Sequence, residues 1–229
     1  MDKGRQKSKL QEDLVNIYLR LNGYFVSKFI VHSPIHGKNK TEMDAVAIRH
    51  PFSREPERVI GPDPYLKTSA EWTDIVLCEV KSKGQKIRYN EALVADPGAL
   101  ATVLRWCGAF DEEEVVHVSD KLARILSATT STADGPPTVE GPRKTRVRAL
   151  LFSPERDSKR DNQPWFITGP QLMKYVGACL APTVMRPSCS ITYDFQVWGE
   201  HEPIVRYFKG LDGNPPGDIR ALYSHLQLG

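Results

Sequence analysis

Carboxylates and a lysine lie within two apolar segments of this chain, where charged side chains are uncommon. Glu79 and Lys81 end the segment Asp-Ile-Val-Leu-Cys-Glu-Val-Lys, and Asp44 lies in an earlier segment, Glu-Met-Asp-Ala-Val-Ala-Ile. Residues i and i+2 of a strand share a face, so Glu79 and Lys81 are predicted to point the same way. Charges on a buried strand are costly unless they are paired or bind a metal. The pattern therefore indicates a site that does chemistry.

Phosphodiester hydrolysis would use this set of side chains. Mg²⁺ prefers oxygen ligands and usually takes one or two carboxylates together with water and phosphate. Asp44 and Glu79 could supply the carboxylates, and the backbone carbonyl of Val80 could add a third oxygen. Lys81 could hold the attacking water or stabilise the pentavalent phosphorane, while Glu12 could bind the metal directly or through water. The metal would serve as Lewis acid and water activator together.

Each of these residues also has a purely structural interpretation. Glu-x-Lys occurs by chance about once in a chain of this size, so it has weight only with its neighbours. Asp44 could be a plain strand-edge residue, and Glu79 and Lys81 could form a surface pair. Glu12 lies opposite the apolar stripe of its helix, whereas Asp13 flanks that stripe and by pattern alone is a rival ligand.

The elements that must position these residues follow from hydrophobic periodicity and turn signals. Helices are predicted over 7–22, over 90–110 with an interruption near Pro97, from Ser119 through 127, and from an N-cap at Thr168 to about 181. Strands are predicted over 24–32, 43–48, 74–80, 147–152 and 191–198. This order predicts an α/β domain whose central mixed β-sheet is flanked by helices.

Segments rich in proline, glycine and small polar residues separate these elements. A turn is predicted over 33–40, a long proline-rich loop over 51–73, and a flexible loop or linker over 128–142. The 229 residues fit a single domain, 1–229, with a core over about 7–198. Insertions are expected over about 51–73 and 111–146, and a C-terminal extension over about 187–229.

Basic residues form clusters although the net charge is only +3. Clusters of this kind are the footprint of a protein that binds a phosphate backbone, and solvated surface faces are the alternative interpretation. The residues predicted to contact nucleic acid are Lys7, Lys9, Lys83, Lys86 and Arg88. A further cluster contains Arg143, Lys144, Arg146 and Arg148, and the acidic run 111–114 is expected to be a solvated helix end or loop.

Several classes of protein find no support in the sequence. No apolar stretch approaches the roughly 20 residues that span a bilayer, and the N-terminus has no apolar stretch like that of a signal peptide, so we expect a cytoplasmic protein without a membrane partner. The four cysteines form no Cys-x-x-Cys pair, which disfavours a disulfide framework and a structural zinc. His201-Glu202 has no partner motif, and no phosphate-binding loop, Gly-x-Ser-x-Gly elbow or His-Glu-x-x-His motif is present.

The full arrangement resembles the PD-(D/E)XK nuclease superfamily, and within it archaeal Holliday-junction resolvases and related bacterial resolvase-like proteins. Their first helix has an acidic residue eleven positions before a Gly-aromatic pair, as Glu12 precedes Gly23-Tyr24 here. The bacterial group typically has Glu-Asp-Leu at that place, and residues 12–14 of this chain are also Glu-Asp-Leu. On the next strand the bacterial group has Glu-Ile-Asp, and residues 42–44 of this chain are Glu-Met-Asp. Its signature strand ends Glu-Val-Lys, followed by a small polar and a basic residue, as 79–83 do here.

The resemblance covers about residues 7–90 and implies a restriction-endonuclease-like core with loop insertions. It implies that Glu12, Asp44, Glu79 and Lys81 are catalytic and that the acidic residues bind Mg²⁺, for which Mn²⁺ can substitute. DNA is the implied substrate. The chain is nearly twice the length of a minimal resolvase, so the insertions and the C-terminal region have no counterpart.

The sequence therefore predicts a metal-dependent DNA endonuclease, structure-specific or part of a mobile-element or defence system. A catalytically inactive DNA-binding or assembly subunit on the same fold is the alternative. Cutting two strands symmetrically would favour a two-fold homodimer, and the insertions could dock protein partners.

Overall fold

A central sheet of six strands organises the chain in the computed structural model, which describes residues 2–32, 39–54, 60–128, 135–159, 163–181 and 194–229. The strands are β1 (Phe25–His32), β2 (Asn39–Arg49), β3 (Thr73–Val80), β4 (Thr138–Gly141), β5 (Thr145–Ser153) and β6 (Phe166–Thr168). Their order is β1-β2-β3-β5-β4, and β6 also pairs with β5. The sheet is mixed, as predicted, because β3 and β6 run parallel to β5 while the other pairs are antiparallel.

Seven α-helices flank the sheet within the described part of the chain. They are α1 (Lys3–Leu21), α2 (Glu91–Ala95), α3 (Pro97–Cys107), α4 (Glu112–Ala128), α5 (Gly169–Leu180), α6 (Glu202–Lys209) and α7 (Ile219–His225). The predicted break near Pro97 is confirmed, since α2 ends at Ala95 and α3 begins at Pro97. The predicted start of α5 is confirmed as well: Thr168 is its N-cap, and the Thr168 backbone N–H donates to Gln171 Oε1.

Two apolar layers cover the two faces of the sheet. On one face, α1, α5, α6 and α7 pack on alternate residues of the strands, among them Ala47, Val76 and Cys78. On the other face, α2, α3 and α4 pack on the intervening residues, among them Ile75 and Leu77. The alternation of inward-facing residues along β3 explains why this strand is apolar throughout, as expected of a strand buried on both faces.

The helix predicted to begin at Ser119 begins instead at Glu112. Ser119 is buried inside this helix, α4, where its hydroxyl donates to the carbonyl of Val116. The true start is a reciprocal cap: the Glu114 N–H donates to Asp111 Oδ1, and the Asp111 N–H donates to Glu114 Oε2. The acidic run is thus a helix N-terminus, where carboxylates complement the helix dipole.

Two other predictions are wrong over the residues that the structure describes. The loop predicted over 128–142 contains the strand β4, which pairs with β5 from Thr138 to Gly141. The strand predicted over 191–198 lies outside the described residues at 191–193, and Phe195–His201 forms 3-10 turns. Of the turn predicted over 33–40, residues 33–38 lie outside the described residues.

Buried Arg148 holds the described residues 60–73 of the proline-rich segment against the sheet. Arg148, only 3% exposed, donates to the carbonyl of Leu66, and its guanidinium contacts both oxygens of Asp74. Tyr24 completes this group, because its hydroxyl donates to Asp74 Oδ2 and accepts from Arg148 Nη2. Part of the basic cluster at 143–148 therefore stabilises the fold instead of facing a ligand.

No helix in the described ranges has both the length and the apolar character needed to cross a membrane.

Candidate active site

A β-bulge sets the position of Asp44. Ser27 pairs with Val46 and Phe29 pairs with Met43, so the single residue Lys28 of β1 faces both Asp44 and Ala45 of β2. A bulge of this kind redirects a side chain out of the regular alternation and is common beside active sites. The sequence pattern of 43–48 predicted the strand but contained no signal for the bulge.

Pairing of β2 with β3 brings Asp44 to the end of β3. Ala45 pairs with Cys78, so Asp44 and Glu79 occupy the next positions of adjacent antiparallel strands. Asp44 Oδ2 accepts a hydrogen bond of 2.7 Å from the backbone N–H of Val80. The backbone at Val80, whose carbonyl was predicted to add a metal ligand, therefore lies beside the Asp44 carboxylate.

Burial raises the pKa of Asp44 to about 7. The Val80 N–H opposes this shift, whereas the negative charges of Glu79 and Glu12 add to it, and Lys81 opposes it. The pKa of this carboxyl thus responds to all three of the other predicted catalytic side chains. A cation bound beside Asp44 would lower this pKa and favour the ionised carboxylate.

Glu79 and Lys81 form a close ion pair at the end of β3. Lys81 Nζ lies 2.5 Å from Glu79 Oε1, and both side chains are largely buried. The second oxygen of Glu79, Oε2, is buried and has no hydrogen-bond partner. Burial raises the pKa of Glu79, while Lys81 and the backbone N–H of Asn90 lower it.

Glu12 reaches the same region from α1. Its carboxylate pairs with Lys28 at 2.9 Å, and Lys28 is the residue of β1 that faces the bulge. The preceding residue, Gln11, lies within 3.4 Å of the hydroxyl of Ser82, just after the end of β3. The first helix is thus fixed against the end of β3, as the predicted role of Glu12 requires.

Strand β5 holds the segment after Glu79 in place. The Lys81 N–H donates to the carbonyl of Phe152 at 2.8 Å, and the Ser153 hydroxyl donates to the carbonyl of Lys81 at 2.7 Å. The backbone of Lys81 is therefore bound on both sides although β3 itself ends at Val80. Such anchoring limits the positions that the lysine ammonium can take.

The basic residues predicted to contact nucleic acid differ in how free they are. Lys83 and Lys86 are exposed in the loop that follows Lys81, and Arg88 pairs with Glu91 on the surface. Lys7 lies over the ring of Tyr223. Lys9 is held between two carboxylates, at 2.9 Å from Asp13 and 2.7 Å from Glu200, so its charge is already balanced.

A second cluster of ligand-type atoms joins α1 to the C-terminal region. Asp13, Glu200 and His201 are the one group of three acidic, histidine or cysteine residues in the described ranges whose ligand atoms all lie within 4.8 Å of one another. Glu12, Asp44 and Glu79 do not meet that criterion. The sequence offered no local motif for this cluster, because its members come from opposite ends of the chain.

A groove of about 620 Å³ lies next to this second cluster, between α1, the start of β1 and the 3-10 segment. Arg20, Lys28 and Phe25 line it together with Glu200 and His201. Arg20 stacks over the Trp198 ring, with its guanidinium carbon 4.1 Å from the ring centre. Phe25 is 72% exposed, which is unusual for so large an apolar side chain.

Comparisons of this chain with family models, curated proteins and solved structures found no match.

Proposed function

We propose that this protein is a metal-dependent DNA endonuclease that hydrolyses phosphodiester bonds, with a restriction-endonuclease-like core. The observation that carries the proposal is the convergence of Asp44, Glu79 and Lys81 at the end of β3. Glu79 pairs there with Lys81, and the buried Asp44 carboxyl beside them accepts a hydrogen bond from the Val80 N–H and interacts with the charge of Lys81. Structure alone gives no reason for this arrangement, because Asp44 is a buried acid with no cation paired to it among the described residues, and burial raises its pKa to about 7.

The residues present fit a hard divalent cation such as Mg²⁺. Glu79 Oε2 is buried without a hydrogen-bond partner. Burial, together with the charges of Glu79 and Glu12, raises the pKa of the Asp44 carboxyl to about 7. Asp44, Glu79 and the Val80 carbonyl would hold the ion, with Glu12 contributing directly or through water. The bound ion supplies Lewis-acid stabilisation of the phosphate and activation of water.

Lys81 is the chain's own catalytic cation. Glu79 holds its ammonium at 2.5 Å, so the charge is positioned before a substrate arrives. A preorganised charge in a poorly solvated site stabilises developing negative charge better than a mobile one. Lys81 would donate hydrogen bonds to a phosphate oxygen or to the attacking water.

The loop that follows Lys81 would bind the DNA backbone. Lys83 and Lys86 are exposed there, within a few residues of the proposed catalytic lysine. Contacts of lysine with phosphate position a duplex without reading its sequence. The backbone of this loop is held by Glu155, because the Lys83 N–H donates to Glu155 Oε2 at 2.8 Å.

A cleavage assay tests the proposal. The full chain is incubated with four-way junction, flap, linear duplex and single-stranded DNA in Mg²⁺, in Mn²⁺ and in excess chelator. Cleavage that requires the divalent ion supports the proposal, and the preferred substrate defines the class of nuclease. DNA binding without cleavage in either metal would contradict it and would identify an inactive DNA-binding or assembly subunit.

A further inference from the structure

The cluster of Asp13, Glu200 and His201 shares no residue with the proposed catalytic set and has a different donor set. It offers one imidazole nitrogen and two carboxylates, whereas the proposed active site offers only oxygen. Asp13 comes from the middle of α1, and the other two residues end the 3-10 segment Phe195–His201.

Two buried atoms of this cluster face each other without a hydrogen bond. Asp13 Oδ1 and His201 Nδ1 are 3.6 Å apart, and neither has a hydrogen-bond partner. Asp13 as a whole is only 5% exposed. Buried polar atoms are normally satisfied, so this pair lacks a partner that a bound ion or a water molecule would supply. Two donors each about 2.1 Å from a tetrahedral metal lie about 3.4 Å apart, close to this separation.

Lys9 accounts for part of the negative charge but does not fill the cluster. Its ammonium contacts Asp13 Oδ2 and Glu200 Oε2, which leaves Asp13 Oδ1 facing the imidazole. Two carboxylates against one lysine leave one net negative charge when the imidazole is neutral. Arg20 and Lys28, which line the adjoining groove, are the other cations on this side. Lys28 is itself paired with Glu12 at 2.9 Å, so a divalent ion at the free atoms would compete mainly with the Lys9 ammonium, which contacts Asp13 and Glu200.

We propose that Asp13, Glu200 and His201 bind a divalent transition metal ion, Zn²⁺ being the best fit. Zinc accepts mixed nitrogen and oxygen ligands in tetrahedral sites, and three protein ligands leave a fourth position for water. Imidazole favours Zn²⁺ over Mg²⁺, so the two sites of this protein select different ions.

The metal would join the C-terminal region to the helix that contains Glu12. Gly199 has φ of 54°, a left-handed conformation that favours glycine, and this bend directs Glu200 and His201 back toward α1. Because Glu12 and Asp13 are neighbours, an ion at Asp13 fixes the part of α1 from which Glu12 reaches the proposed active site. Glu200 and His201 also line the groove, so the proposed site adjoins it.

Titration of the full chain with Co²⁺ and Zn²⁺ tests this site independently of nuclease activity. We expect visible cobalt absorption without a sulfur-to-cobalt charge-transfer band, displaced by one equivalent of Zn²⁺. His201→Ala and Glu200→Gln should each weaken Zn²⁺ binding at least tenfold. Glu200 is mostly exposed, so the second variant is expected to fold, and circular dichroism without metal checks both.

Matched variants separate this site from the catalytic one. His117 is exposed on α4, on the opposite side of the sheet, and His117→Ala should bind Zn²⁺ like the parent. Asp44→Asn should also bind Zn²⁺ like the parent, so a failed nuclease assay leaves this result intact. Lys9→Ala should bind at least as tightly as the parent, since it frees two carboxylate oxygens.

Three outcomes would overturn the proposal. The first is a parent chain that binds neither Co²⁺ nor Zn²⁺. The second is a His201→Ala variant with the parent's affinity. The third is binding that appears only in Lys9→Ala, which would mean that the lysine ammonium is the cation of this cluster.

Discussion

Asp44 shows at the level of one residue how a proposed catalytic position differs from a stabilising one. Its carboxylate accepts the Val80 N–H, yet burial and neighbouring carboxylates raise its pKa to about 7. The folded state therefore holds this proton over a range of pH in which the unfolded chain has released it. The residue makes folding less favourable as the pH rises from about 4 to about 7.

Asp44→Asn is expected to stabilise the protein at pH 8. The amide keeps an acceptor for the Val80 N–H and removes the buried charge, so the free energy of unfolding should rise by at least about 1 kcal/mol. At pH 5 the parent carboxyl is protonated, and the two proteins should then differ less. Urea denaturation at both pH values measures this. A variant that is less stable than the parent at pH 8 would contradict the interpretation.

At the level of elements, a buried ionic group joins β3, β5 and the segment between β2 and β3. Arg148 and Asp74 lie on adjacent parallel strands, and Arg148 also binds the carbonyl of Leu66. Arg146 adds a second cation at 3.0 Å from Asp74 Oδ2. Burial tends to raise the pKa of Asp74, but the two arginines outweigh it and lower the pKa below the ordinary value.

Arg148→Met should destabilise the protein by about 3–5 kcal/mol, because it leaves Asp74 buried with less compensation. Combining it with Asp74→Asn should recover part of the loss. Since the pKa of Asp74 is lowered on folding, its contribution is complete above the unfolded pKa near 4 and is lost as the pH falls through the folded value. Thermal unfolding measures both effects. A parent and a variant with equal stability would rule out this role.

At the level of the whole molecule, the described part of the C-terminal region, residues 194–229, belongs to the main core. Phe208 is fully buried, and Ile204, Leu222 and Tyr223 pack with it in the layer that covers α1. The region expected to be an extension with no counterpart therefore covers the helix that contains Glu12. It also supplies two of the three ligands of the proposed transition-metal site.

Phe208→Ala is expected to cost about 3–5 kcal/mol of stability, the range for a large aromatic side chain removed from a core. Phe25→Ala is the matched control, because Phe25 is 72% exposed, and its effect should be within about 0.5 kcal/mol. Chemical denaturation of both variants measures the difference. Equal losses in the two variants would mean that the C-terminal region packs loosely on the sheet.

Local patterns were enough to predict most of the sheet and to place Asp44, Glu79 and Lys81 on neighbouring strands, but they gave no signal for the bulge that sets the position of Asp44. Apolar alternation and turn residues act over a few positions, so they identified β1, β2, β3 and β5 and the start of α5. The cap at Asp111 was missed because Ser119 offered a competing signal inside the same helix. Contacts between distant segments leave no such local pattern, and the cluster around His201 and the burial of Arg148 depend on them.

The rate of DNA cleavage by Lys81→Ala, compared with the parent at saturating Mg²⁺, tests the central proposal most directly. Loss of the positioned ammonium should lower the single-turnover rate by about 10²–10³-fold, the typical effect of removing one charge-stabilising donor. Lys121→Ala, an exposed lysine on α4, is the control and should cleave like the parent. Circular dichroism confirms that each variant is folded. A folded Lys81→Ala protein that cleaves at the parent rate would contradict the assignment of this site.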